Sequence, residues 1–119
     1  KAVNYTYLFS HATPESMSDL GTDRGWANQW AWHTGEMWYA FNSLREGVPA
    51  VRQWTDWDYE LAEKMNQYWS NFIKTGDPNG DKVPAWSAYT DDNKSTMVFD
   101  TTSGERVGYD AELQELISQ

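Results

Sequence analysis

The chain has 119 residues, no cysteine and a net charge of −9, with hydrophobic residues at 39% and aromatic residues at 16%. The length fits one small domain, and the missing cysteines exclude a disulfide framework, a thiolate nucleophile and a cysteine-ligated metal site. The negative charge disfavours binding to nucleic-acid phosphates and anionic membranes, and no apolar run approaches membrane-spanning length.

Residues 3–9 alternate between two faces. One face carries Val3, Tyr5, Tyr7 and Phe9. Aromatic and β-branched residues in such an alternating run predict a strand. Residues 15–31 are polar and rich in glycine, serine and aspartate, and they predict a long loop. Loops of this length are usually functional or disordered.

A continuous apolar stripe of helical period predicts a long helix over residues 55–74. The stripe consists of Trp57, Leu61, Met65, Tyr68, Trp69 and Phe72. Thr55, with Asp58 three residues later, resembles a capping box. Gly76 is placed to cap the C-terminus. A helix this amphipathic needs a large apolar surface to cover it.

Weaker patterns predict the remaining elements. Residues 34–44 predict a short helix, residues 96–100 a short strand, and residues 109–118 a C-terminal helix. Residues 101–108 predict a loop. Two strands so far apart in sequence are poor partners alone. We therefore expect the rest of the sheet to lie outside these residues.

His33 stands among tryptophans, with Glu36 three residues later. A general base needs a nucleophile to serve and usually a third group to orient it, and no serine here lies in a Gly-x-Ser-x-Gly context. From local sequence alone, His33 fits a packed structural side chain better than a catalyst, and Glu36 fits an acid at a helix N-terminus. His11 and His33 lack metal-ligand spacing, so we predict no metal site.

The chain has eight tryptophans, a number that invites comparison with carbohydrate-binding platforms. Trp57 and Trp69 have helical spacing and predict core positions. Trp26, Trp30 and Trp32 lie in the predicted loop or at its end. These three are the better candidates for lining a substrate pocket.

Four stretches of the sequence together form a family pattern. They are YTYLFSHATP at 5–14, AWHTGEMWYAFNSL at 31–44, LAEKMNQYWSNFIKTGDPNG at 61–80 and VPAWSAYT at 83–90. Their order and spacing resemble the type-B, cholinesterase-like carboxylesterases, and together they cover nearly the whole chain. The run YWSNFIKTGDPNG is the most specific part of the resemblance.

The resemblance implies an α/β-hydrolase, with a mostly parallel sheet and helices on both faces. It identifies residues 1–119 as the C-terminal portion of one catalytic domain, holding its last strands and helices and incomplete on its own. His33 matches the family's general base in a Ser-His-Glu or Ser-His-Asp triad, and Trp26, Trp30 and Trp32 would help wall the acyl or alcohol pocket. The serine and the acid would lie in the remainder of the esterase chain. The substrate would be a small-molecule ester, and no metal or organic cofactor is implied.

The sequence departs from the family pattern at two places. Asn42 stands where the family usually has glycine, and the stretch around Trp86 reads AWSAY where the family has Trp-Pro-x-Tyr. Neither place touches the chemistry. Some members keep this fold and bind partners without catalysis, so fold alone does not decide activity. A non-catalytic binding or adhesion domain, or an independent tryptophan-rich sugar binder, is therefore the alternative to an enzyme.

Overall fold

A computed structural model of the protein describes residues 2–22, 30–47 and 51–108. Its elements in chain order are strand β1 (Tyr7–Phe9), helix α1 (Met37–Ala40), helix α2 (Asp56–Thr75), strand β2 (Ser95–Phe99) and strand β3 (Gly104–Val107). The strands form one sheet of order β1-β2-β3, in which β1 and β2 run parallel while β2 and β3 run antiparallel. None of the helices within these ranges is both long and apolar enough to cross a membrane.

Helix α2 confirms the strongest prediction from the sequence, within one residue at each end. The Thr55 hydroxyl accepts a hydrogen bond from the Asp58 backbone N–H, and the Asp58 carboxylate accepts one from the Thr55 backbone N–H at 2.8 Å. This reciprocal pair is a capping box. Gly76 ends the helix in the left-handed conformation, with φ of 78°. The local signals for the start and stop of this helix therefore decide its length.

The predicted strand over 3–9 is shorter in the structure, where Tyr7, Leu8 and Phe9 pair with β2 and Asn4 forms a single bridge to Tyr89. The two predicted strands thus pair directly with each other, in parallel. Strand β3 was predicted as a loop, and that prediction is wrong. Its residues are mostly exposed and polar, so the strand lacks the alternating apolar pattern that identifies a buried strand.

The core lies between α2 and the sheet. Strand β2 is buried along its whole length, and Phe99 at its end contacts the rings of Tyr68, Trp69 and Trp86 at centroid distances of 5.8–6.0 Å. Rings at these separations and tilted angles add to the area that they bury. Phe72 differs from the rest of the predicted stripe because 48% of its surface is exposed.

The predicted helix over 34–44 is only one turn long in the structure. Thr34 and Asn42 both have positive φ, at 71° and 47°, and they bracket α1 on either side. A left-handed residue cannot continue a right-handed helix. The predicted C-terminal helix over 109–118 falls outside the described residues.

Candidate active site

His33 lies on a tight turn that leads into α1. The backbone N–H of Gly35 donates to the Trp32 carbonyl at 3.0 Å, and the N–H of Met37 donates to the Thr34 carbonyl at 3.1 Å. The His33 side chain is exposed. Its ring accepts and donates no hydrogen bond to any other residue within the described ranges.

Thr34, directly after His33, is a β-branched residue in the left-handed region, with φ of 71°. This conformation costs an L-residue roughly 1–2 kcal/mol, and it is a true outlier for a β-branched side chain. The turn that presents His33 is therefore held in place at an energetic cost. Strained residues of this kind cluster at functional sites.

Replacement of Thr34 by glycine is expected to stabilise the turn by roughly 0.5–1 kcal/mol, since glycine avoids the left-handed penalty but has more freedom when unfolded. Hydrogen exchange of the Met37 amide, which bonds to the Thr34 carbonyl, measures this local opening. Thr34→Ala is the control, because alanine keeps the Cβ atom and should give no gain. Equal protection in the two variants would contradict the assignment of strain.

Trp32 is held firmly beside His33. Its indole N–H donates to the Thr13 hydroxyl at 2.9 Å, and the Arg52 guanidinium lies over its ring, 5.8 Å from the centroid. Arg52 also donates to the Pro14 carbonyl. Burial lowers the pKa of Arg52, an effect that Asp19 and Tyr39 oppose. Trp32 therefore anchors the N-terminal side of the His33 turn.

The three tryptophans predicted to line a pocket have different surroundings. Trp30 is 70% exposed, whereas Trp32 is half-buried under Arg52. Trp26 falls outside the described residues. Trp30 and Trp32 lie within three residues of His33 in the chain, and Trp30 is the one with a free ring surface.

The buried carboxylate of Asp58 is hydrogen-bonded to α1, and the hydrogen-bond network around it was not predicted from the sequence. Oδ1 of Asp58 accepts from the Tyr39 hydroxyl at 2.7 Å and lies 2.9 Å from Nε2 of His11. The second oxygen, Oδ2, accepts from the hydroxyl and the backbone N–H of Thr55. Asp58 is 1% exposed. The sequence identified Asp58 only as a helix cap, because the contact with His11 joins residues that are 47 positions apart.

The network decides the charge of Asp58. Burial raises the pKa of this carboxyl, but hydrogen bonds from His11, Thr55 and Tyr39 outweigh burial and bring the pKa down to about 2. Burial raises the pKa of the Tyr39 hydroxyl, and its hydrogen bond to Asp58 raises it further. Asp58 is therefore ionised and Tyr39 neutral at neutral pH, so the Tyr39 hydroxyl is the donor and the Asp58 carboxylate the acceptor of their hydrogen bond.

Serine hydroxyls near this region are engaged with groups other than histidine. Ser10 donates to Asp100 at 2.7 Å, Ser16 and Ser18 bond to each other at 2.8 Å, and Ser43 donates to the Trp38 carbonyl at 3.3 Å. No serine–histidine hydrogen bond occurs within the described ranges. No group of three or more potential metal ligands is found there either. None of these four serines is therefore a hydrogen-bond partner of His33 in the structure.

Comparison with known proteins identifies the relatives of this chain. The Carboxylesterase family model matches residues 1–115. Carboxylesterase 5A of Felis catus is 36% identical over 88 residues, which cover 72% of this chain and 15% of that protein. Carboxylesterase 4A of Bos taurus is 33% identical over 105 residues, which cover 87% of this chain and 16% of that protein. The chain therefore spans only a small part of the length of these relatives.

The fold agrees with the sequence match. A carboxylesterase from Geobacillus stearothermophilus, solved at pH 6.2, superimposes with a TM-score of 0.73 at 27% identity, over 95% of this chain and 21% of that one. The small mixed sheet and its helices are accordingly part of an α/β-hydrolase fold. With a match over residues 1–115 and this shared fold, the chain belongs to the carboxylesterase family.

Proposed function

We propose that this chain is the C-terminal portion of a serine carboxylesterase catalytic domain and that His33 is its general base. The contrast between the two histidines carries the proposal. His11 bonds to buried Asp58, whereas no residue in the described ranges hydrogen-bonds the exposed ring of His33. A general base needs an accessible ring nitrogen, which favours His33. The serine nucleophile and the acid of the triad lie outside this chain.

The reaction is hydrolysis of a carboxylic ester in two halves. His33 accepts the proton of the serine hydroxyl as the serine oxygen bonds to the ester carbonyl carbon. The bond to the alcohol oxygen then breaks, and His33 gives its proton to that oxygen. In the second half His33 takes a proton from water, the resulting hydroxide attacks the acyl carbon, and the serine oxygen leaves with that proton. The products are an alcohol and a carboxylic acid.

The remaining strands of the catalytic domain are proposed to pair with β1. Among the described strands, β1 and β3 are the two edges of the sheet and each pairs on one side only, and an apolar groove favours the β1 edge. This groove is lined in part by Tyr7 of β1 and by Trp69, Phe72 and Ile73 of α2, and Ile73 is 80% exposed. Exposed aromatic and aliphatic side chains grouped beside a strand support the proposal that another element packs there. We therefore expect this chain alone to be inactive and poorly folded.

The proposed activity is tested with the intact protein that contains this chain, using p-nitrophenyl esters of increasing acyl length. We expect turnover that a fluorophosphonate, a reagent for activated serines, abolishes. Tryptophan fluorescence against a glycan panel tests the sugar-binding alternative in the same preparation. Intact protein without esterase turnover would contradict the proposed function, and binding of a partner or glycan by that protein would support the alternative.

Trp30 is proposed to line the substrate pocket next to His33. Replacement of Trp30 by alanine in the intact protein should change the ratio of kcat/KM for long and short acyl esters by about tenfold, because each methylene in an apolar pocket contributes about 1–3 kcal/mol. Tyr59→Ala is the control, since Tyr59 is a partly exposed aromatic residue on α2. An unchanged ratio of kcat/KM for long and short acyl esters in Trp30→Ala would contradict the placement of Trp30 in the substrate pocket.

A further inference from the structure

The position of the His33 ring depends on the backbone that carries it. The ring is exposed, and no described residue hydrogen-bonds it. A general base must still reach its nucleophile within hydrogen-bond distance. Misplacement by about 1 Å can lower a rate on the order of a hundredfold. The groups that hold the turn are therefore part of what makes His33 effective.

Helix α1 cannot hold the turn through its own stability. It has 4 residues, and its N-cap residue Glu36 makes no side-chain capping bond. A helix this short is unstable in isolation. Two backbone bonds continue the turn of His33 into α1: the N–H of Tyr39 donates to the Glu36 carbonyl at 3.1 Å, and the N–H of Ala40 donates to the same carbonyl at 2.8 Å. Together with the bonds from Met37 to Thr34 and from Gly35 to Trp32, they connect Tyr39 to the His33 turn through consecutive hydrogen-bonded turns.

Tyr39 contributes the side chain that ties α1 to Asp58, beside a second bond in which the Asn66 amide of α2 donates to the Ala40 carbonyl at 2.9 Å. Tyr39 is fully buried, and its ring packs against Phe9 and His11 at centroid distances of 5.3 and 5.6 Å. Its hydroxyl donates to Asp58 at 2.7 Å. Asp58 is in turn held by the N-terminus of α2 and by His11 from the segment after β1. One carboxylate thus joins α1, α2 and the end of β1.

We propose that Tyr39, Asp58 and His11 form a positioning network for the reaction, one that holds the His33 turn in the geometry needed for proton transfer. The inference rests on the proposed function of His33. Tyr39 and Asp58 are buried and the His11 side chain is 13% exposed, so the network would act through the backbone between residues 33 and 39. Loss of the Tyr39 hydroxyl leaves the tyrosine ring in the core but frees α1 from Asp58.

The test compares two conservative variants of the intact protein, Tyr39→Phe and Tyr68→Phe. Each variant removes one tyrosine hydroxyl that donates a hydrogen bond of 2.7 Å: the Tyr39 hydroxyl donates to Asp58, and the Tyr68 hydroxyl donates to the Pro84 carbonyl. Tyr68 and Pro84 are both far from the His33 turn in the chain. We expect Tyr39→Phe to lower kcat and the rate of fluorophosphonate inactivation by roughly tenfold with KM unchanged. Tyr68→Phe should leave both rates unchanged. Equal rates in the two variants would overturn the proposal.

Variants at His11 test the same network from its other side. Glutamine can offer an N–H donor to Asp58 in place of Nε2, whereas alanine cannot. We expect His11→Gln to keep a kcat closer to that of the unchanged protein than His11→Ala does. Equal kcat values for the glutamine and alanine variants would contradict the network.

A His33→Ala variant separates failure of this inference from failure of the proposed function. Full activity in His33→Ala would overturn the proposed function itself. Loss of activity in His33→Ala, with Tyr39→Phe and Tyr68→Phe equally active, would overturn the positioning network alone.

Discussion

Under the proposed function, replacement of His33 by alanine is expected to lower kcat of the intact protein by about 10⁴- to 10⁶-fold. Without the imidazole, no group takes the proton from the serine, and the residual rate comes from binding and oxyanion stabilisation alone. Within the described ranges the His33 side chain is exposed and makes no hydrogen bond, so its replacement removes no hydrogen bond among those residues. Steady-state kinetics measures kcat, and a thermal melt shows whether the variant is folded.

His11→Ala is the matched control, since the chain has only two histidines. His11 bonds to buried Asp58, so its loss should lower stability clearly and kcat far less than the loss of His33 does. The opposite result, with His11→Ala inactive and His33→Ala active, would mean that the catalytic role has been given to the wrong histidine.

Replacement of Asp58 by alanine is expected to destabilise the N-terminal part of α2 and its contact with α1 by about 3 kcal/mol. The change removes the capping box, worth about 1 kcal/mol. It also leaves buried donors of Tyr39 and His11 without an acceptor, at about 1–3 kcal/mol. Hydrogen exchange of the Tyr59 amide, which bonds to the Thr55 carbonyl at 3.2 Å, reports the local opening.

Asp56→Ala provides the control for Asp58→Ala. Asp56 is an exposed acid in the same first turn, so its loss removes only a favourable interaction with the helix dipole, worth about 0.3–1 kcal/mol. Similar losses of protection in the two variants would show that the buried hydrogen bonds of Asp58 contribute little.

The carboxylate of Asp58 makes the stability of the fold depend on pH. Its pKa is about 2 in the folded protein against an ordinary value of 3.8. A lowered pKa stabilises the fold above the ordinary value, and this contribution is lost as pH falls from about 4 to about 2. Asp58→Ala should therefore flatten the decline in stability over this range, and an unchanged decline would assign it to other carboxylates.

Elements with local signals were predicted well from the sequence, and those without were not. Helix α2 was predicted within one residue because its cap, apolar stripe and terminal glycine all lie within the segment itself. Helix α1 was predicted too long because positive φ at Thr34 and Asn42 leaves no mark on hydrophobic periodicity. Strand β3 was missed because its polar residues take their conformation from pairing with β2.

The candidate site likewise contains one residue that the sequence identified and a network that it did not. His33 was assigned by its resemblance to a family motif, whereas its local composition favoured a structural role. The network around Asp58 depends on contacts with Tyr39 and His11, which are 19 and 47 positions away in the chain. Only the folded arrangement of β1, α1 and α2 brings these groups together.

Peptide mapping by mass spectrometry after fluorophosphonate treatment of the intact protein tests whether His33 serves a serine outside this chain. We expect one stoichiometric adduct on a serine outside these 119 residues, and a large loss of labelling rate in His33→Ala. A stoichiometric adduct on a serine within these residues would contradict the claim that His33 serves a nucleophile located elsewhere.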